Sequence, residues 1–139
     1  GTLSVADNTL TLDGSSDIDG IITISTGIVD ANDTFDATDG TITFTDAGNL
    51  NLSFTVTDLG TLSDNFGKVT YDGTAQTIFA DTYYDLTVAT SNTKTLGGAI
   101  VVARDLTIDA GVTLDVSGND YSINVARHFA NSGTFTMQE

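Results

Sequence analysis

The chain contains no cysteine, no proline and no tryptophan, a single methionine, and only 4 Lys and Arg residues against 19 Asp and Glu. Without cysteine there is no disulfide framework, no thiolate nucleophile and no Cys-ligated zinc, although the redox compartment stays open. The shortage of cations, with a formal net charge of -15, excludes nucleic acid as a partner, because phosphate binding needs Lys and Arg. An anionic membrane surface is disfavoured for the same reason. No apolar run approaches the roughly 18 residues of a membrane span, so no membrane insertion is expected. No signal peptide opens the chain, and a start at Gly1 rather than Met reads as a processed or excised piece of something longer. Helix formers are scarce too: Glu occurs once, at Glu139, and the other 18 acids are Asp.

What remains is a β-forming alphabet. Hydrophobic residues make up 40% of the chain, too many for a disordered acidic tail, and 139 residues suit one domain. Threonine alone supplies 25. Short segments alternate apolar and polar residues: Thr9–Leu12, Thr41–Thr45, Leu52–Val56, Asp85–Val88, Asp105–Ile108 and Tyr121–Val125. This period of two, with β-compatible Thr as the polar partner, marks half-buried strands. Asp-Gly, Ala-Gly, Ser-Gly and Asn-Asp pairs between them supply turns. The chain is expected to be all-β.

The strands also repeat. Gly1, Gly20, Gly40 and Gly60 recur at a nearly constant interval. Two positions after each glycine stands an aliphatic residue (Leu3, Ile22, Ile42, Leu62), and three positions after it a hydroxyl (Ser4, Thr23, Thr43, Ser63). A second apolar column follows at Leu10, Val29, Leu50 and Val69. Later, Asp85–Val88 recurs as Asp105–Ile108 at the same interval, and Ile100–Arg104 recurs as Ile123–Arg127 at a slightly longer one. Such a period predicts a parallel β-solenoid of about 20–23 residues per coil and roughly seven coils. Coils stacked at ~4.8 Å would bury the first apolar column, turn the hydroxyl column outward and make a rod ~30 Å tall. A β-sandwich also needs strands every 8–12 residues, but not the same residue type at the same phase. Residues 1–139 form one domain on this reading, with Asp-rich coils over 1–67 and all four basic residues, together with Tyr83 and Tyr84, over 68–139.

Lys68 to Val88, KVTYDGTAQTIFADTYYDLTV, resembles a module of very large repetitive bacterial surface proteins. There a G-x-V-x-Y-x-G segment leads to Q-T-I and then to an aromatic-rich Y-x-x-L-T-[IV] strand. Thr93 to Thr136 continues the likeness with TKTLGG, DLTIDAGVTLDVSGNDYSINV and NSGTFT. The resemblance implies an adhesin-type or matrix-forming β-solenoid displayed outside the cell, with a structural or adhesive role and no catalytic centre.

Candidate chemistry is sparse. Asp17, Asp19, Asp30, Asp33, Asp36 and Asp39 cluster in one short stretch, and Asp19 and Asp39 precede successive repeat glycines. Stacked coils would hold carboxylates of Asp17, Asp19, Asp36 and Asp39 close enough to repel or to share a calcium ion. A solvated face of turn-forming aspartates is the simpler reading, and neither an EF-hand loop nor the Gly-rich calcium nonapeptide is present. No other cofactor is expected. His128 is the sole histidine, and nothing singles out a serine to join it, so no enzyme is expected. Thr2-x-Ser4, Thr41-x-Thr43 and Thr61-x-Ser63 resemble the Thr-x-Thr rows of ice-binding solenoids, but Ile21 interrupts the row. Tyr71, Phe79, Tyr83 and Tyr84 offer a glycan-stacking platform, against which alternation favours core packing, with one of Tyr83 and Tyr84 buried. Lys68, Lys94, Arg104 and Arg127 are expected as exposed partners of neighbouring carboxylates, and Lys68 or Lys94 could carry an isopeptide crosslink.

The ends complete the reading. Gly1-Thr2-Leu3-Ser4-Val5 is already in repeat phase, and Thr134-Phe135-Thr136-Met137 still alternates, so neither end has a polar cap. The expected partner is the chain itself, stacked head to tail through these residues into an extracellular filament or matrix. The alternative is a passive stalk module of a giant adhesin.

Overall fold

The structure, a computed structural model, describes residues 1–63 and 65–137. It is a parallel β-solenoid of about seven turns, with no helix among the described residues. Each coil contributes three short strands. The first coil holds β1 (Thr2–Val5), β2 (Thr9–Leu12) and β3 (Ser16–Asp17), the second β4 (Ile21–Ile24), β5 (Ile28–Ala31) and β6 (Phe35–Asp36). The third holds β7 (Thr41–Phe44), β8 (Asn49–Leu52) and β9 (Val56–Asp58), and the fourth β10 (Thr61–Leu62), β11 (Lys68–Tyr71) and β12 (Gln76–Ile78). Then come β13 (Thr82–Tyr83), β14 (Asp85–Val88) and β15 (Asn92–Leu96), followed by β16 (Ile100–Val102), β17 (Asp105–Ile108) and β18 (Val112–Asp115). The seventh coil holds β19 (Ile123–Val125), β20 (His128–Asn131) and β21 (Thr134–Thr136).

The expected columns stand in register. Leu3, Ile22, Ile42 and Leu62 are successive partners, as are Leu10, Val29, Leu50, Val69, Leu86, Leu106 and Phe129. Because side chains alternate across a strand, the residues between them face out. From Gly20 onward the repeat glycines have a steric cause. A Cβ on Gly40 would lie 2.2 Å from the Ile18 carbonyl oxygen, and one on Gly60, whose φ is 62°, would lie 2.2 Å from that of Ala37. The coils approach too closely there for any side chain.

One side of the prism is continuous. The seven-stranded sheet β2-β5-β8-β11-β14-β17-β20 runs the whole length. The other two sides are each divided. One reads β1-β4-β7-β10 and then β13-β16-β19; the other reads β3-β6-β9 and then β12-β15-β18-β21.

Near these breaks the core turns polar. Gln76 and Lys94 occupy an inward column that continues as Leu114 and Phe135. Gln76 Nε2 donates to the carbonyls of Leu52 (2.8 Å) and Phe54 (2.7 Å), while its Oε1 accepts from the Gly73 N–H. Lys94, fully buried, donates through Nζ to the carbonyls of Gly73 (2.7 Å), Ala89 (2.6 Å) and Ser91 (2.8 Å). Buried carbonyls demand donors, and these two side chains supply them. Burial lowers the Lys94 pKa from its ordinary value, opposed by the charge of Asp72. Of the four cations expected as exposed partners of carboxylates, Arg104 alone makes an ion pair among the described residues, and Lys94 is buried with its three donors spent on backbone oxygens.

Tyr71 and Tyr83 pack edge to face in the same region, ring centroids 6.4 Å apart. Their hydroxyls lie 3.1 Å apart, the Phe79 N–H donates to Tyr71 Oη, and Tyr83 Oη donates to the Phe79 carbonyl. Only one arrangement satisfies all three contacts: Tyr71 donates to Tyr83, closing a hydrogen-bonded ring. Burial raises both phenol pKa values.

Candidate functional site

The ends of the rod are the first candidate. Ile22 and Ile42 are buried by coils on both sides, whereas Leu3 in the same column is 47% exposed. At the other end Phe129 is 48% exposed, although its column partner Leu106 is buried. Leu106, Ile123, Val125, Phe129 and Phe135 line a cavity of about 250 Å³ there, with Phe129 and Phe135 edge to face at 5.4 Å. Of the residues expected at the ends, Gly1, Thr2, Leu3, Ser4, Thr134 and Met137 are exposed and Phe135 and Thr136 half-buried, while Val5 is buried inside its own coil. Three further end residues, Leu10, Leu12 and Phe129, were not anticipated. The repeat of Leu106 at Phe129 was hidden because the last coil is longer than its predecessors and Asp-Leu-Thr-Ile becomes His-Phe-Ala-Asn.

The acidic column is a turn device in part. Asp17 and Asp36 are register partners, and Asp58 follows Asp36 across an irregularity. Asp36 Oδ1 accepts from both the N–H and the hydroxyl of Thr38, closing its own turn. Asp19 and Asp39 are exposed, each one residue before its repeat glycine. Among the described residues no group of three or more acidic or histidine side chains could hold a metal ion.

The aromatic residues divide as alternation requires. Tyr71 and Tyr83 are buried, Tyr84 and Phe79 half-buried, so the four do not form one platform. Tyr84 instead joins a charged strip on the outward face of the continuous sheet, where Lys68, Asp85, Asp105 and His128 occupy successive register positions. Arg104 clamps Asp85 with Nε and Nη2, reaches Asp105 at 3.5 Å, and lies 4.9 Å above the Tyr84 ring. The hydrogen bond to Asp85 raises the Arg104 pKa further. His128 Nδ1 is 2.9 Å from Asp105 Oδ1.

No family model, curated protein or solved structure matches this chain. The solenoid thus stands on the fold itself, and the adhesin-type likeness on the residues that carry it.

Proposed function

We propose that this chain is a non-enzymatic structural subunit, working outside the cell, that stacks head to tail through its terminal coils into a filament or matrix. The supporting observation is the pair of open end layers. Each presents apolar core residues and a row of backbone donors and acceptors that would be paired by one more coil. The continuous sheet makes the match concrete, since β2 and β20 are its two free edges and run in the same direction. A second copy laid on the first would place Leu10 over Phe129 and continue the column. Charge favours that polarity: the first coil carries Asp7, Asp13, Asp17 and Asp19 without a Lys or Arg, while Arg127 stands immediately before β20. The net charge of -15 keeps finished filaments apart laterally. The extracellular setting rests on the likeness to large bacterial surface proteins. The same open layers would equally be covered by further coils of one long chain, which is the stalk-module reading.

Cysteine chemistry separates the two, and the chain has no cysteine to confuse it. In the double variant Thr9→Cys and His128→Cys, both thiols lie on the outward face of the continuous sheet, at opposite ends of the rod. They can approach disulfide distance only across a head-to-tail joint. Mild oxidation at micromolar concentration should give a ladder of multimers in a reducing-agent-sensitive gel, and electron microscopy should show thin uniform fibres. Monomers alone would sink the filament and leave the stalk. Fibres that require calcium would give the Asp17–Asp36 column a bridging role.

A further inference from the structure

Beside the charged strip, Phe66 is 49% exposed although it is not at an end of the rod. It is nevertheless held in place. Its ring packs against Tyr84 (centroids 6.1 Å, planes 49° apart), Tyr84 lies under the Arg104 guanidinium, and Arg104 is clamped by Asp85. Three packed groups therefore pre-orient one open aromatic face. That face borders a hollow of about 420 Å³ whose rim includes Asp46, Lys68 and Asp85. A second hollow of about 380 Å³ lies further along the sheet and shares Lys68, Asp85 and Arg104 with the first. Together they form a trough that crosses several coils.

We infer that this trough binds a neutral polysaccharide, with a pyranose ring seated on Phe66. A pyranose is apolar on the C–H face and polar around its edge, and the trough offers an aromatic ring bordered by a carboxylate and an ammonium. Lys68 makes no ion pair among the described residues, so its ammonium is available to donate. Charge decides against an acidic glycan. Asp46, Asp85, Asp105 and Asp109 line the trough against only Lys68 and Arg104, and the Arg104 fork is already committed to Asp85. The extended shape fits a chain of sugars better than a single one. This inference does not depend on end-to-end stacking.

The test is affinity electrophoresis of the whole chain in native gels containing hydroxyethylcellulose, galactomannan or dextran, with polygalacturonate as the acidic comparison. Retardation in at least one neutral gel is expected, weakened about tenfold or more by Phe66→Ala and retained in Phe66→Tyr. Tyr84→Ala, which removes the ring behind Phe66, should weaken it as well; circular dichroism and thermal unfolding check that each variant is folded. Free migration in all three neutral gels overturns the inference. So does retardation confined to polygalacturonate, or a folded Phe66→Ala chain retarded as strongly as the parent.

Discussion

The first three coils and the two that follow them solve the same problem with different materials. In coils one to three an apolar residue stands at nearly every inward position, and every strand bonds directly to its equivalent in the neighbouring coil of that set. At the two boundaries of coil four two of the three ladders stop, and in coils four and five an amide, an ammonium and a pair of phenols fill the interior. The contrast shows what a solenoid requires. Apolar columns are the simplest way to fill it, but the stricter requirement is that buried backbone carbonyls find donors. Where the backbone does not provide one, a long polar side chain can.

The comparison is tested most severely at Lys94. Lys94→Met keeps the volume but leaves the carbonyls of Gly73, Ala89 and Ser91 without that donor, which should cost about 3–5 kcal/mol. Urea unfolding would show it as a large fall in midpoint, whereas Lys68→Met on the outward face should change the midpoint little. A small effect at Lys94 would mean that water satisfies those oxygens and that the two regions are held together alike. Gln76→Leu should cost less, about 2–3 kcal/mol, because two carbonyls and one N–H lose a neutral partner. The same measurement checks it.

The smallest effect concerns acid. The hydroxyl and N–H of Ser117 hold the Asp115 carboxyl below its ordinary value of 3.8. An acid that is stronger when folded contributes stability above the unfolded pKa, and loses that contribution as pH falls through the folded one. A pH series of unfolding midpoints from the weakly acidic range down through the carboxylate range should therefore show a slightly shallower decline in Ser117→Ala than in the parent. Equal slopes would remove this carboxylate from the account.

The legibility of the chain follows the same division. Seven turns were readable because Leu, Ile and Val recur beside Thr at a fixed phase, and any residue there must meet the same neighbours above and below. The switch of architecture was not readable, because Gln76 and Lys94 carry side chains that normally mark an outward face. Thr93-Lys94-Thr95 contains no apolar residue to reveal its phase; only Leu96, two positions on and buried, shows that Lys94 points inward. At the candidate surfaces, the ends were visible from the uninterrupted repeat. Phe66 was not, since Asn65-Phe66-Gly67 reads as a turn and nothing in its spacing announces that Tyr84 stands behind it.

The two interruptions do not fall at the same level. One lies between the third and fourth coils and the other between the fourth and fifth. A mason staggers joints for the same reason: no single plane through the wall is all mortar. Any cut across this rod between neighbouring coils severs at least two of its three ladders, so tension along the axis meets no level at which one sheet alone carries the load.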